Sequence, residues 1–246
     1  MNADSIQTTR RTFMFGLAAI PLLSLDISCA RTKEDRKVIV GFIDVSASVT
    51  NYAPFHSAWK KISSSLREGD RIMLAPISDL TLTQFKPFID LEIPTFSWWS
   101  GVKAAHDDEM KKIEESLSEV FDRAEKAPRA QRTDITNAFV LAGKVFSGDP
   151  RKPVLCIFSD GLEDSSTADF EHDRLTESET KRIIKSKQLR HAFPELHGAN
   201  VYFIGASAST ADKASEVEQF WLEFVRVGGG NLAPEHYGPA LLHFDE

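Results

Sequence analysis

An apolar run that passes directly into three oxygen-bearing side chains places the strongest constraint on this chain. Residues 38–43 are continuously apolar and rich in β-branched side chains, which predicts a fully buried strand. Asp44, Ser46 and Ser48 follow at once. Because strand side chains alternate between faces, these three would share one side, and a curling loop could bring their oxygens to one point. Hard divalent cations prefer such oxygen-only ligands, so the stretch predicts a metal-bearing binding surface.

The composition sets the scale of the fold and excludes one class of partner. The chain has 246 residues, 42% of them hydrophobic and 26% charged, which suits one globular domain with a sizeable core. The formal net charge is -7. Because binding to nucleic acid requires a basic face, this charge argues against a nucleic-acid partner.

The first thirty residues predict an export signal. Arg10 and Arg11 precede an apolar stretch at residues 13–25, which is too short to cross a bilayer as an ordinary helix. The pattern resembles a bacterial twin-arginine signal, so residues 1–30 are assigned to export. The mature protein is therefore expected in the periplasm or at the cell surface.

The end of this signal has two interpretations. The segment LDISC, residues 25–29, resembles a lipoprotein cleavage box in which Cys29 becomes the lipidated first residue. The alternative is ordinary signal cleavage after Ala30. A lipid at Cys29 would be the only contact with a membrane, and we predict a membrane-anchored lipoprotein. Residues 31–36 then form a charged tether, and residues 37–246 form the domain.

Strand and helix patterns alternate along the domain. Apolar runs predict strands at 38–43, 71–77, 82–93, 154–159, 201–204 and near Leu241, with 82–93 as an antiparallel edge strand. Apolar residues at helical spacing predict helices over 55–66, 110–124, 135–146, 177–189 and 217–225. This alternation predicts an α/β fold of three layers, a doubly wound and mostly parallel sheet with helices on both faces.

The predicted directions of these elements bring two more polar residues to the end of the first strand. When the first strand points upwards and the third runs down, Thr133 lies at the upper end of the sheet. The strand at 154–159 then rises to Asp160. Binding sites of parallel sheets collect beyond the carboxyl ends of the strands, so Asp44, Ser46, Ser48, Thr133 and Asp160 are expected together.

These five residues resemble the metal-ion-dependent adhesion site of von Willebrand factor type A domains. That family combines an Asp-x-Ser-x-Ser sequence, a distant Thr, and an Asp after a buried strand. Here they correspond to DVSAS at residues 44–48, Thr133 in RTDI, and Asp160 followed by Gly161. The resemblance covers roughly residue 38 to the C-terminus and implies a Rossmann-like three-layer domain.

The resemblance implies a Mg²⁺ site, with Mn²⁺ or Ca²⁺ as alternatives. Ser46 and Ser48 would bind the ion directly, and Thr133 would bind it in the ligand-engaged state. Asp44 and Asp160 would hold the ion directly or through water. A site with only two acids leaves the ion able to accept an acidic side chain of a protein partner. The expected function is metal-dependent protein binding, with no catalytic residue.

Three further features of the sequence each have two interpretations. Gln131 and Arg132 stand where many family members have glycine, and the charge of Arg132 could weaken ion binding or attract an acidic partner. The acid-rich segment 160–179 is predicted to be a solvated loop, with a cation-attracting rim as the alternative. Trp98 and Trp99 could form a second contact patch or pack under the sheet.

Two other functions compete with protein binding. One is a metal-dependent phosphohydrolase that uses Asp44. Phosphatases that begin with a strand-end Asp usually carry a second acid two residues later, and here that position is Ser46. The other is a scaffold whose metal site is vestigial.

Overall fold

A computed structural model describes residues 36–78, 81–82, 85–95, 103–244 and 246. All of them belong to the compact unit Arg31–Glu246. The predicted signal, the possible lipidation site Cys29, and the pair Trp98 and Trp99 lie outside the described residues, and so does the tether up to residue 35.

A six-stranded sheet forms the middle layer. Its strands are β1 Lys37–Asp44, β2 Arg71–Ile77, β3 Ile89–Glu92, β4 Lys152–Phe158, β5 Asn200–Ile204 and β6 Tyr237–Gly238. Their order across the sheet is β3-β2-β1-β4-β5-β6. Only β3 runs antiparallel, against β2. The predicted doubly wound sheet with one antiparallel edge strand is therefore confirmed.

Five α-helices among the described residues cover the two faces of the sheet. They are α1 Ala53–Ser64, α2 Lys103–Glu125, α3 Ile135–Ser147, α4 Glu177–Leu189 and α5 Ala211–Val227. Helices α3, α4 and α5 pack on the side that receives Val38, Val40 and Phe42 of β1. Helices α1 and α2 pack on the other side, against Ile39 and Ile43. Every residue of β1 is buried because both of its faces are covered, which explains the continuous apolar run in the sequence.

Side-chain caps fix where three of these helices begin. Asp134 accepts a hydrogen bond from the backbone N–H of Asn137 at the start of α3. Thr176 and Thr210 cap α4 and α5 in the same way. Because Asp134 ends the preceding loop, the cap also fixes the position of Thr133 next to it.

Two predicted strand boundaries are wrong. The edge strand was predicted over residues 82–93, but β3 is restricted to Ile89–Glu92. Pro87 lies just before it, and a proline cannot donate to a strand ladder. The final strand was predicted near Leu241, but β6 is Tyr237–Gly238. Pro239 stops the ladder there, and Leu241 is instead buried in the cluster on the α1 and α2 side.

The ends of the strands opposite to Asp44 meet around Glu246. Its carboxylate accepts hydrogen bonds from Lys152 Nζ and Asn200 Nδ2, both at 2.6 Å. Lys37 Nζ donates to the main-chain oxygen of Glu246 at 2.9 Å.

Within the described part of the chain, no helix has the length and apolar character needed to span a bilayer.

Candidate metal centre

The register of the sheet brings the ends of β1 and β4 together. The two strands are parallel neighbours, and Ile43 pairs with Phe158. The residues that follow this pair, Asp44 and Ser159, are therefore neighbours, with Asp160 next along the chain. The hydroxyl of Ser159 donates a hydrogen bond of 2.7 Å to Oδ2 of Asp44.

Asp44 is a buried carboxylate with both oxygens in use. Its side chain has 0% exposure. Oδ1 accepts a hydrogen bond from the backbone N–H of Ser46 at 2.8 Å. Burial and, next, the charge of Asp160 raise the pKa of Asp44 to about 6. In the absence of a compensating cation, the two carboxylates therefore oppose each other's ionisation.

The loop after β1 turns two hydroxyls towards each other. Ser46 Oγ and Ser48 Oγ are 2.9 Å apart. Ser46 is buried and Ser48 is exposed, so the pair reaches from the protein interior to its surface. This convergence is what the spacing of the two serines predicts.

The loop after β4 is held in place by a positive-φ glycine. Gly161 has φ of 87°, a conformation that favours glycine, and its carbonyl accepts a hydrogen bond of 2.9 Å from Trp221 Nε1. The backbone N–H of Leu162 donates to Asp160 Oδ1 at 2.9 Å. Burial raises the pKa of Asp160 above its ordinary value.

Thr133 reaches the site through backbone pairing. Its N–H and C=O each form a hydrogen bond of 2.9 Å with the C=O and N–H of Asp164. Further back in the same loop, the N–H of Ala130 donates to the carbonyl of Val45 at 3.1 Å. The loop that carries Thr133 is therefore joined to both strand-end loops.

These loops enclose one cleft of about 480 Å³. Four of the five predicted ion ligands line it, namely Ser46, Ser48, Thr133 and Asp160. Asp44 is not part of the lining, and through its backbone bond to Ser46 it supports the cleft from within. Gln131 also lines the cleft, whereas Arg132 is exposed and is absent from the lining.

The acid-rich segment is not simply a solvated loop. Glu163 is buried and accepts hydrogen bonds from the N–H and hydroxyl of Thr136, at 2.9 and 2.8 Å. Phe170, in the same segment, is fully buried in the core cluster that α3, α4 and α5 cover. Asp164, Asp169 and Glu171 line the cleft together with Glu163 and His172. These acids therefore form an acidic wall of the cleft, whereas Asp173 and Glu177 of the same segment are exposed, as the solvated-loop interpretation predicts.

The donor atoms of the site fit a hard divalent cation. Three hydroxyls and two carboxylates supply oxygen alone, and the site has no cysteine. Within the ranges that the structure describes, no group of three or more His, Cys, Asp and Glu side chains is arranged to hold a metal. The candidate therefore depends on the serine and threonine hydroxyls, with a cation expected to relieve the repulsion between Asp44 and Asp160.

Sequence reasoning missed Ser159 and Tyr52. Ser159 orients Asp44, and Tyr52 donates from its hydroxyl to the Asp44 carbonyl at 2.8 Å. Ser159 could have been found by aligning the two predicted parallel strands at their carboxyl ends. Tyr52 gives no comparable signal in the sequence.

Comparisons with known proteins find structural likenesses and no match by sequence family. No protein-family model and no curated protein matches the chain. A von Willebrand factor type A protein from Catenulispora acidiphila is similar at 16% identity and TM-score 0.46, over 81% of this chain and 38% of that one. Proximal thread matrix protein 1 from the mussel byssus is similar at 10% identity and TM-score 0.45, over 85% and 43%.

The pilus adhesin SpaC from Lactobacillus rhamnosus GG, in an open conformation, is similar at 11% identity and TM-score 0.44, over 84% of this chain and 28% of that one. This chain spans less than half the length of each of the three proteins. At TM-scores below 0.5 these likenesses carry no argument about function. The fold class rests instead on the observed layers and strand order.

Proposed function

We propose that this chain is a von Willebrand A type interaction module that binds an acidic side chain of a protein partner through Mg²⁺. The observation that carries the proposal is the single cleft lined by Ser46, Ser48, Thr133 and Asp160. These residues come from three separate loops, and a set of helix caps or turn formers would not need to share one cleft. Asp44, buried behind Ser46, adds a second carboxylate.

Each ligand has a role that its position supports. The hydroxyls of Ser46, Ser48 and Thr133 would contact the ion directly, and Asp160 would hold it directly or through water. Asp44, which is buried and outside the cleft lining, would act on the ion through water. A bound Mg²⁺ would supply a Lewis-acidic position for an incoming carboxylate. With only two acids in the proposed ligand set, the ion keeps enough positive charge to attract that carboxylate.

The acidic wall restricts the kind of partner further. The cleft lining contains five acids, Asp160, Glu163, Asp164, Asp169 and Glu171, and its described residues include no lysine or arginine. A divalent ion offsets two charges at most, and two like charges 4 Å apart repel by about 4 kcal/mol near a protein surface. We therefore expect the acidic residue of the partner to be flanked by basic residues that face the wall.

The cellular setting of this module is proposed from the sequence. The twin-arginine-like signal and the possible lipidation of Cys29 support a location in the bacterial cell envelope. Mass spectrometry of the mature N-terminus tests this part by itself. A lipidated Cys29 supports an anchored protein, and a terminus after Ala30 contradicts it.

The burial of Asp44 disfavours the phosphohydrolase alternative. A nucleophilic carboxylate must reach the phosphorus of its substrate, whereas Asp44 has no exposed surface and both oxygens accept hydrogen bonds. Turnover of a phosphate ester that is lost in Asp44→Asn would favour the enzyme. A melting temperature that does not respond to Mg²⁺ or Mn²⁺ would favour the vestigial scaffold.

The decisive experiment is a metal-dependent pull-down from envelope extract. Wild-type protein is compared with Ser46→Ala/Ser48→Ala, with Mg²⁺ or with EDTA. The matched control is Ser63→Ala/Ser64→Ala, because these serines bond only to carbonyls of their own helix. We expect capture by wild type and control in Mg²⁺ alone. Capture that survives both EDTA and the Ser46/Ser48 substitutions contradicts the proposal.

A further inference from the structure

A two-step hydrogen-bond chain joins the Thr133 loop to the end of β1. Arg129 Nη1 donates to the hydroxyl oxygen of Tyr52 at 2.7 Å, and that hydroxyl donates to the carbonyl of Asp44 at 2.8 Å. The guanidinium carbon also lies 5.2 Å from the centre of the Tyr52 ring. The hydroxyl thus acts as acceptor and donor at once, and the ring is a second contact for the arginine.

This hydrogen-bond chain links two segments that are far apart in the sequence. Asp44 is the last residue of β1, and Arg129 lies in the loop between α2 and α3 that leads to Thr133. A second bond runs in parallel with the first, from Ala130 N–H to the carbonyl of Val45. Two adjacent residues of the loop, Arg129 and Ala130, are therefore linked to the end of β1, Arg129 to Asp44 through the Tyr52 hydroxyl and Ala130 directly to Val45.

From this geometry we infer that Tyr52 and Arg129 are positioning residues of the ion site. They fix the Thr133 hydroxyl relative to the Ser46 and Ser48 hydroxyls, so that all three can face one cation. This assignment rests on the proposed function, because it concerns the same cleft. Neither residue lines the cleft, so both act through the loops and not by contact with the ion.

The burial of the two residues decides how the inference can be tested. Tyr52 is buried, so Tyr52→Phe removes only its hydroxyl and keeps the packing of the ring. Arg129 is largely exposed, so Arg129→Gln removes the charge without opening a cavity in the core. Since the two substitutions differ in their risk to folding, Arg129→Gln retains the test if Tyr52→Phe lowers the melting temperature.

The experiment measures Mn²⁺ affinity by calorimetric titration of the folded protein. Loss of a partner that orients metal ligands typically weakens metal binding by about 10-fold to 100-fold. We expect about 10-fold weaker binding in Tyr52→Phe and Arg129→Gln, with partial recovery in Arg129→Lys. The controls are Tyr202→Phe, whose hydroxyl bonds to Glu246 at the opposite end of the sheet, and Arg123→Gln, which lies over the ring of Phe88. Both controls are expected to bind Mn²⁺ like wild type.

A double-mutant cycle separates positioning from a general effect on loop stability. Since the two residues act through Thr133, Arg129→Gln is expected to have no further effect on Mn²⁺ affinity in a Thr133→Ala background. Wild-type affinity in both single variants, or losses that add fully to that of Thr133→Ala, overturn the inference. A wild-type protein that binds no Mn²⁺ instead overturns the proposed function itself, and this assignment with it.

Discussion

The hydroxyl of Ser159 donates to Oδ2 of Asp44 over 2.7 Å, across 115 residues of sequence. The same oxygen of Ser159 accepts a hydrogen bond of 3.1 Å from the N–H of Gly161. One hydroxyl therefore orients the buried carboxylate of the first loop and the backbone of the second. The parallel pairing of β1 and β4 is what makes this contact possible.

Removal of this hydroxyl is predicted to destabilise the protein. Ser159→Ala leaves one buried oxygen of Asp44 without its donor, which typically costs about 1–3 kcal/mol. We expect this loss in the free energy of unfolding, measured by urea denaturation without added metal. Ser166→Ala is the control, because Ser166 is exposed, and it is expected to have no effect. An unchanged unfolding midpoint in Ser159→Ala would show that the contact contributes nothing to stability.

The stability of the metal-free protein is predicted to fall as the pH rises from about 4 to about 7. Burial raises the pKa of Asp44 from 3.8 to about 6 and is also the main cause of the rise for Glu163, from 4.5 to about 7. In this window Asp44 and Glu163 bind more protons in the folded state than in the unfolded state, so their contribution to the free energy of unfolding decreases with pH. Ionisation of Asp44 alone would cost about 2–3 kcal/mol.

Thermal unfolding in EDTA at several pH values measures this trend. Glu163→Gln cannot ionise and is expected to have a shallower slope between pH 5 and 7. Added Mg²⁺ is expected to raise the melting temperature more at pH 7 than at pH 5, since protons compete with the ion for the carboxylates. Stability that increases with pH across the whole window would contradict the role of the buried acids.

Glu246 is predicted to support the opposite end of the sheet without affecting the cleft. Its side chain is 1% exposed and accepts hydrogen bonds from Lys152, Asn200 and Tyr202. Because Asn200 and Tyr202 lose a buried acceptor, Glu246→Ala is expected to cost about 1–3 kcal/mol. The exposed Glu235→Ala serves as control in chemical denaturation. Weaker Mn²⁺ binding in a folded Glu246→Ala would refute the independence of the two ends.

Two aspartates that bind the same arginine are predicted to differ in their contribution. Asp149, with a side-chain exposure of 3%, and Asp90, at 36%, both bond to Arg71. Exposed pairs contribute at most about 1 kcal/mol, whereas a buried charge that loses its partner costs more. Asp149 also binds Arg151, so Asp149→Asn is expected to lower the unfolding free energy by about 2 kcal/mol more than Asp90→Asn. Equal losses in the two variants would contradict this ranking.

The central strands could be predicted because burial on both faces requires a recognisable run of apolar residues. A parallel strand covered on both faces needs apolar residues throughout, and this requirement produced the runs that became β1, β2, β4 and β5. The edge strand β3 has only four residues and pairs with one neighbour, β2, so its pattern is weak. Its predicted length was wrong for that reason.

The candidate site could be predicted only as far as strand ends determine it. Asp44 ends β1 and Asp160 lies two residues after the neighbouring strand β4, so topology alone places them together. Glu163 has an acidic side chain in an acidic segment, which suggests solvent, but the N-terminal N–H of α3 at Thr136 holds it inside. The contact between Tyr52 and Arg129 depends on how two loops meet, and no local pattern records it.

The three loops of the cleft begin at positions far apart in the chain, and this separation has a thermodynamic consequence. An unfolded chain, or any fragment that lacks one of the loops, offers a cation only scattered oxygens with no common geometry. Only the folded protein would then bind the ion. The melting temperature would then rise with the concentration of the ion, so a series of thermal unfolding curves would measure the affinity of the site.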